Sequence, residues 1–111
     1  MRSFMIDEIT PDDMEKLENW LKEQELGSSI DHLYHFNIPV RLLSPLQQEH
    51  AETCGPFYMA VETGRDWVRL ELLVRAKKIL RCACIAYATG EQQQHMVGYL
   101  ENLLTDLRIP L

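Results

Sequence analysis

Residues 57–88 constrain the fold more than any other part of the chain. Apolar side chains recur there at every second position through three short runs, the period of a strand with one buried face. Phe57–Glu62, Trp67–Arg75 and Leu80–Ala88 read as three consecutive strands, joined by Thr63-Gly64-Arg65-Asp66 and by a turn near Ala76-Lys77-Lys78. Setting Glu62 opposite Trp67 places Val61 against Val68, Met59 against Leu70 and Phe57 against Leu72. Setting Val74 opposite Leu80 places Leu72 beside Cys82 and Leu70 beside Cys84. One face of this meander is then wholly apolar, and a one-residue slip would turn it to the other side.

The flanking segments supply what that apolar face needs to be buried against. Thr10 is an N-cap, Pro11 suits the first helical position, and Asp12 and Asp13 favour the positive end of a helix dipole. Met14, Leu17 and Leu21 form its stripe, and Gly27 ends a helix of about 11–26. Tyr34, Phe36 and Ile38 alternate with His35 and Asn37, consistent with a fourth, edge strand near 32–38 that Pro39 terminates. Ser44-Pro45 opens a short helix of about 45–52, and Gly55-Pro56 breaks the chain. Thr89-Gly90-Glu91-Gln92 has capping-box spacing and opens a helix of about 90–107 with Met96, Leu100, Leu103, Leu104 and Leu107 inside. The expected fold class is α+β, one domain over 1–111, with a three-stranded antiparallel meander between an N-terminal and a C-terminal helix.

With 111 residues, 46% of them apolar, such a chain can bury a core without disulfides or metals to fold. Its net charge of −6 argues against general nucleic-acid binding, since phosphates repel it. The charge is uneven. Residues 1–31 hold nine acidic and three basic side chains, net −6, and residues 65–81 hold six basic and two acidic, net +4. No stretch approaches the roughly 20 apolar residues of a membrane span, and the N-terminal residues lack the apolar run of a signal peptide. The expectation is a cytoplasmic protein with reduced thiols, no membrane, no nucleic acid and no cofactor, whose partner is itself or another protein.

Chemistry-bearing residues are few. There is no glycine-rich phosphate loop and no pair of carboxylates at a persuasive spacing. Cys82 and Cys84, two apart on a strand, would face the same way and fill the core beneath the last helix as small apolar groups. They could instead ligate a soft metal with Cys54 and with His50 or His95, although Cys-x-Cys is a weaker signature than Cys-x-x-Cys. His50 and Cys54 are four apart and would share a helix face, but Gly55-Pro56 argues that the helix has ended.

The second face of the meander is more informative. It carries Tyr58, Trp67, Arg69, Leu73, Arg75, Arg81, Ile85 and Tyr87, with Trp67 opposite Tyr87 and Arg69 opposite Ile85 in the chosen register. A fully wet face would not need these aromatic and aliphatic residues, and aromatics with arginine are what interfaces favour. The first helix, a second copy or partner, or a small ligand could cover it. The functional expectation is a non-enzymatic interaction module or homodimer using that face. The alternative is a metal- or thiol-dependent enzyme or metal-binding protein using Cys54, Cys82, Cys84 and a histidine.

Overall fold

The computed structural model describes residues 2–111 and has the expected α+β class. Helix α1 (Pro11–Glu23) starts as its sequence dictates, with the Thr10 hydroxyl accepting from the Asp13 N–H. Strand β2 (Leu33–Asn37) is the edge strand expected near 32–38. A single 3-10 turn (Val40–Leu42) leads to α2 (Pro45–Glu49), and α3 (Gly90–Asp106) closes the fold. Both α2 and α3 begin with complete capping boxes, Ser44 with Gln47 and Thr89 with Gln92.

The sheet is wider than a three-stranded meander. Among the described residues it has six antiparallel strands: β1 (Ser3–Ile6), β2, β3 (Phe57–Thr63), β4 (Val68–Glu71), β5 (Leu73–Ala76) and β6 (Ala86–Tyr87). β3 is central. β2 runs along one side of it, and β4 and then β5 run along the other. β1 lies outside β4, and β6 lies outside β5.

Two expectations are corrected here. In the first hairpin Val61 faces Leu70, Glu62 faces Arg69 and Thr63 faces Val68. The register is two residues from the one that side-chain matching selects. A shift of two keeps every side chain on its expected face, so apolar matching cannot tell the two apart. The hairpin is fixed by Trp67, whose indole lies on Gly64, where even an alanine Cβ would come within 2.0 Å of it. The run 67–75 is also interrupted at Leu72. Its N–H bonds to Arg2 O and its carbonyl accepts from Ala88, so β4 and β5 pair with different outer strands.

The second correction concerns Leu80–Ala88. Only Ala86 and Tyr87 are strand, and they pair with Val74 and Leu73. Residues 77–85 form a loop, so Cys82 and Cys84 do not sit on a strand. Tyr87 is opposite Leu73 rather than Trp67, and Arg69 lies between Glu62 and Met5 rather than opposite Ile85.

The core sits on one face of the sheet. Leu17 and Leu21 of α1 and Met96, Leu100 and Leu104 of α3 are buried in one cluster with Val61, Leu70 and Val74. Each such side chain contributes about 1.5–3 kcal/mol of transfer free energy. Thr63, on the core face, donates its hydroxyl to Glu18 of α1. Phe36 packs edge-on against Tyr99 of α3, and Lys16 of α1 donates to Leu107 O at the end of α3. Both long helices therefore cover the same face, and α1 does not cover the other one. Among the described residues, no helix is long and apolar enough to cross a membrane.

Candidate metal centre

His50, Cys54, Cys82 and Cys84 converge at the end of the sheet where β3 begins. Their four ligand atoms, one imidazole nitrogen and three sulfurs, all lie within 4.8 Å of one another. Local structure brings the first pair together. Regular helix ends at Glu49, yet Cys54 N–H bonds to His50 O at 2.8 Å and Gly55 N–H to Ala51 O at 3.1 Å. The helical spacing thus survives for one more turn and puts the two side chains on one side. Gly55 is required there, because a Cβ would approach Ala51 O to 2.6 Å. The second pair comes from the loop between β5 and β6. Lys77 N–H bonds to Pro56 O, and Lys78 N–H bonds to Cys54 O at 3.0 Å, which lays the loop against the first pair. Cys82 O then accepts from Ile85 N–H in a tight turn.

The spacing fits a tetrahedral ion. Bond lengths of about 2.3 Å to sulfur and 2.05 Å to nitrogen imply about 3.8 Å between sulfurs and about 3.6 Å between sulfur and nitrogen. His50 Nδ1 lies 3.2 Å from Cys82 Sγ and 3.9 Å from Cys54 Sγ, which brackets the second figure. Cys54 and Cys84 are 4% and 1% exposed, whereas Cys82 and His50 are half-buried. All three thiols are free of disulfides.

The clustered thiols perturb one another in opposite directions. The backbone N–H and then the thiol of Cys84, with smaller contributions from His50 and Cys54, favour the Cys82 thiolate against the effect of burial and lower the Cys82 thiol to about 7. The Cys84 thiol is pushed up to about 12, first by burial and then by the neighbouring Cys82 and Cys54. Three thiolates this close cannot all ionise in a low-dielectric site by themselves. A divalent cation reverses that balance and deprotonates the coordinating thiols outright.

A buried amide network stands behind the ligands. Gln47, 2% exposed, donates its Nε2 to Cys84 O at 3.1 Å. Its Oε1 accepts from Ser44 N–H and from Gln92 Nε2, the latter at 2.9 Å. Gln92, fully buried, also donates to Leu42 O and accepts from Thr89 N–H. The two capping-box glutamines thus meet in the interior and fasten the Cys82–Cys84 turn to the starts of α2 and α3. Sequence reasoning reads Gln92 only as a cap and assigns Gln47 no role. Their meeting depends on two helix starts coming together, which no local pattern encodes.

Of the other candidates, His95 lies outside the cluster. It lines shallow clefts beside Arg41 and Leu42 and beside Leu26, Phe36 and Tyr99. The opposite face of the sheet carries Tyr58, Arg69, Leu73, Arg75 and Tyr87, as the alternation places them. Trp67 lies at its hairpin end, with the Arg69 guanidinium 5.2 Å from the ring centre. Arg81 is exposed on the loop that carries Cys82 and Cys84, and Ile85 packs against the edge of the core rather than on this face. The charges there find partners within the chain. Arg69 pairs with Glu62, Arg75 holds Glu71 in a two-pronged contact at 2.7 and 3.2 Å, and His35 stacks on Tyr58. No protein-family model matches the chain, and no curated protein or solved structure matches it, so the site stands on its own geometry.

Proposed function

We propose that this chain is a zinc-binding protein in which His50, Cys54, Cys82 and Cys84 hold one ion. The convergence of four donor atoms within 4.8 Å carries the reading. Three sulfurs and one imidazole are the donor set of a soft, tetrahedral ion. Four protein ligands leave no open position for substrate, which supports a structural rather than a catalytic centre. The ion would fasten residues 77–85, which contain almost no regular structure, to the end of α2. Cys54 and Cys84 are part of the hydrophobic core, but most of that core is built by the sheet and the two long helices, which supports a metal-free protein that stays folded while this loop loosens. A site of thiolates suits a reducing compartment, in keeping with a cytoplasmic location.

Metal analysis of freshly purified protein tests this directly. One zinc per chain is the expected result, and cobalt substitution should give the absorption of a tetrahedral site with thiolate-to-metal charge transfer. Protein that is purified without metal, and takes up no cobalt once reduced, would refute it.

A second reading rests on the open sheet face. Among the described residues no helix lies on it, and Tyr87 and Met5 are 43% and 45% exposed there. This supports a non-enzymatic interaction module that docks a second copy or another protein through Tyr58, Trp67, Arg69, Leu73, Arg75 and Tyr87. Sedimentation at micromolar concentration checks the self-association. A monomer at all concentrations would leave only a different protein as the partner.

A further inference from the structure

We infer that Cys82 is a modification site for hydroperoxides, with Cys54 as the thiol that resolves it. This rests on the metal-centre reading and adds how the centre would be opened. The observation is an asymmetry among the three sulfurs. Cys54 and Cys84 are enclosed, at 4% and 1% exposed, while Cys82 is half-buried between the exposed Arg81 and Ala83. Thiol oxidation follows access and thiolate character, and a metal-bound sulfur has the latter. Cys82 is therefore the ligand that an oxidant in solution reaches first.

The chemistry balances with a hydroperoxide as the only co-reactant. The Cys82 sulfur attacks one peroxide oxygen. The S–O bond forms as the O–O bond breaks, and the leaving hydroxide, or the alkoxide of an organic hydroperoxide, takes a proton and departs as water or the alcohol. Cys82 is now a sulfenic acid and a poor ligand. The Cys54 thiolate then attacks the Cys82 sulfur. The S–S bond forms, the S–O bond breaks and a second hydroxide leaves as water. Two sulfurs have lost two electrons and the peroxide has gained them.

The sulfurs of Cys54 and Cys84 both lie within 4.8 Å of Cys82, so the backbone decides between them in favour of Cys54. A bridge from the turn after α2 to the loop spans separate segments, whereas one across Cys82-Ala83-Cys84 must close on adjacent backbone held in a tight turn, with the Cys84 carbonyl tied to Gln47. The disulfide would keep the loop attached while the ion leaves.

The experiment uses zinc-loaded full-length protein exposed to hydrogen peroxide, with zinc release followed by a chromogenic chelator and disulfides mapped without reduction. The expected result is zinc release in step with a Cys54–Cys82 bridge. The expected oxidation rate at Cys82 is at least about tenfold that at either other cysteine, as access dictates. In Cys54→Ser the sulfenic acid should persist at Cys82 long enough to be trapped by a carbon nucleophile. If that variant does not fold, the disulfide map of the unaltered protein decides alone. A Cys82–Cys84 bridge, faster oxidation at Cys84, or a loaded protein whose thiols resist peroxide would overturn the inference and leave the metal centre standing. A Cys54–Cys82 bridge in protein that never binds metal would do the reverse.

Discussion

Replacing Gln92 by leucine tests the buried network in a single substitution. Leucine matches the size of glutamine, favours helix and leaves the chain's charge unchanged, so the effect isolates hydrogen bonding. Three bonds disappear: Nε2 to Leu42 O at 2.9 Å, Nε2 to Gln47 Oε1 at 2.9 Å, and Thr89 N–H to Oε1 at 3.0 Å. Their costs differ. The Leu42 carbonyl loses a partner inside the protein, at about 1–3 kcal/mol. The Thr89 N–H is only partly buried and water can replace the glutamine, so half a capping box costs about 0.5–1 kcal/mol. Gln47 Oε1 keeps Ser44 N–H and loses one ordinary bond, about 1 kcal/mol. The greater apolarity of leucine offsets part of this, leaving about 2–4 kcal/mol. For a chain of this size that corresponds to a fall in Tm of about 8–16 °C. Urea unfolding of metal-free protein gives the first number. A second effect should appear in cobalt titration of the folded protein. Gln47, left with Ser44 N–H as its one anchor, holds Cys84 O less firmly, and metal affinity should fall about 10–100-fold, as for other outer partners of metal ligands. A variant within about 0.5 kcal/mol of the parent would refute the network. A loss of stability with unchanged metal affinity would sever its link to the centre.

Two further perturbations probe the scaffold. Glu18 is pulled in two directions: burial raises its carboxyl, and the bonds from Thr63 and His32 outweigh this, so it lies below its ordinary value of 4.5. A carboxylate held low stabilises the fold above its unfolded pKa, and the benefit is lost as pH falls through the folded one. Glu18→Gln should therefore destabilise at pH 7, with the gap to the parent closing below about pH 4.5 in denaturant titrations; a gap independent of pH would contradict the assignment. Gly64→Ala should cost about 1–3 kcal/mol by driving the Trp67 indole off the hairpin, read as loss of stability and a change in tryptophan fluorescence, and an unchanged spectrum would show that the indole does not rest there.

The residues of this chain determine by themselves whatever depends on neighbours in sequence. Thr10, Ser44 and Thr89 each cap the helix they announce, because a cap needs only a side chain within three residues of the N–H it satisfies. Which side chains of β3, β4 and β5 face the core follows from a period of two and survives even the two-residue error in register. Tertiary structure decided the rest, where distant segments compete for the same partner. Ser3–Ile6 pairs with the open edge of β4, and its four residues are too few to announce a strand by periodicity. Residues 80–85 alternate like a strand but are drawn off into a loop, because β1 already occupies the edge of β4 and leaves only β5 for Ala86–Tyr87. That diversion also creates the candidate centre. On a strand Cys82 and Cys84 would be core-fillers out of reach of α2. In a loop laid across Cys54 O they meet His50 and Cys54, from segments some thirty residues away in sequence. The donor types were legible in the chain, and their convergence was not, since a Cys3His set is a property of distances that only the folded sheet supplies.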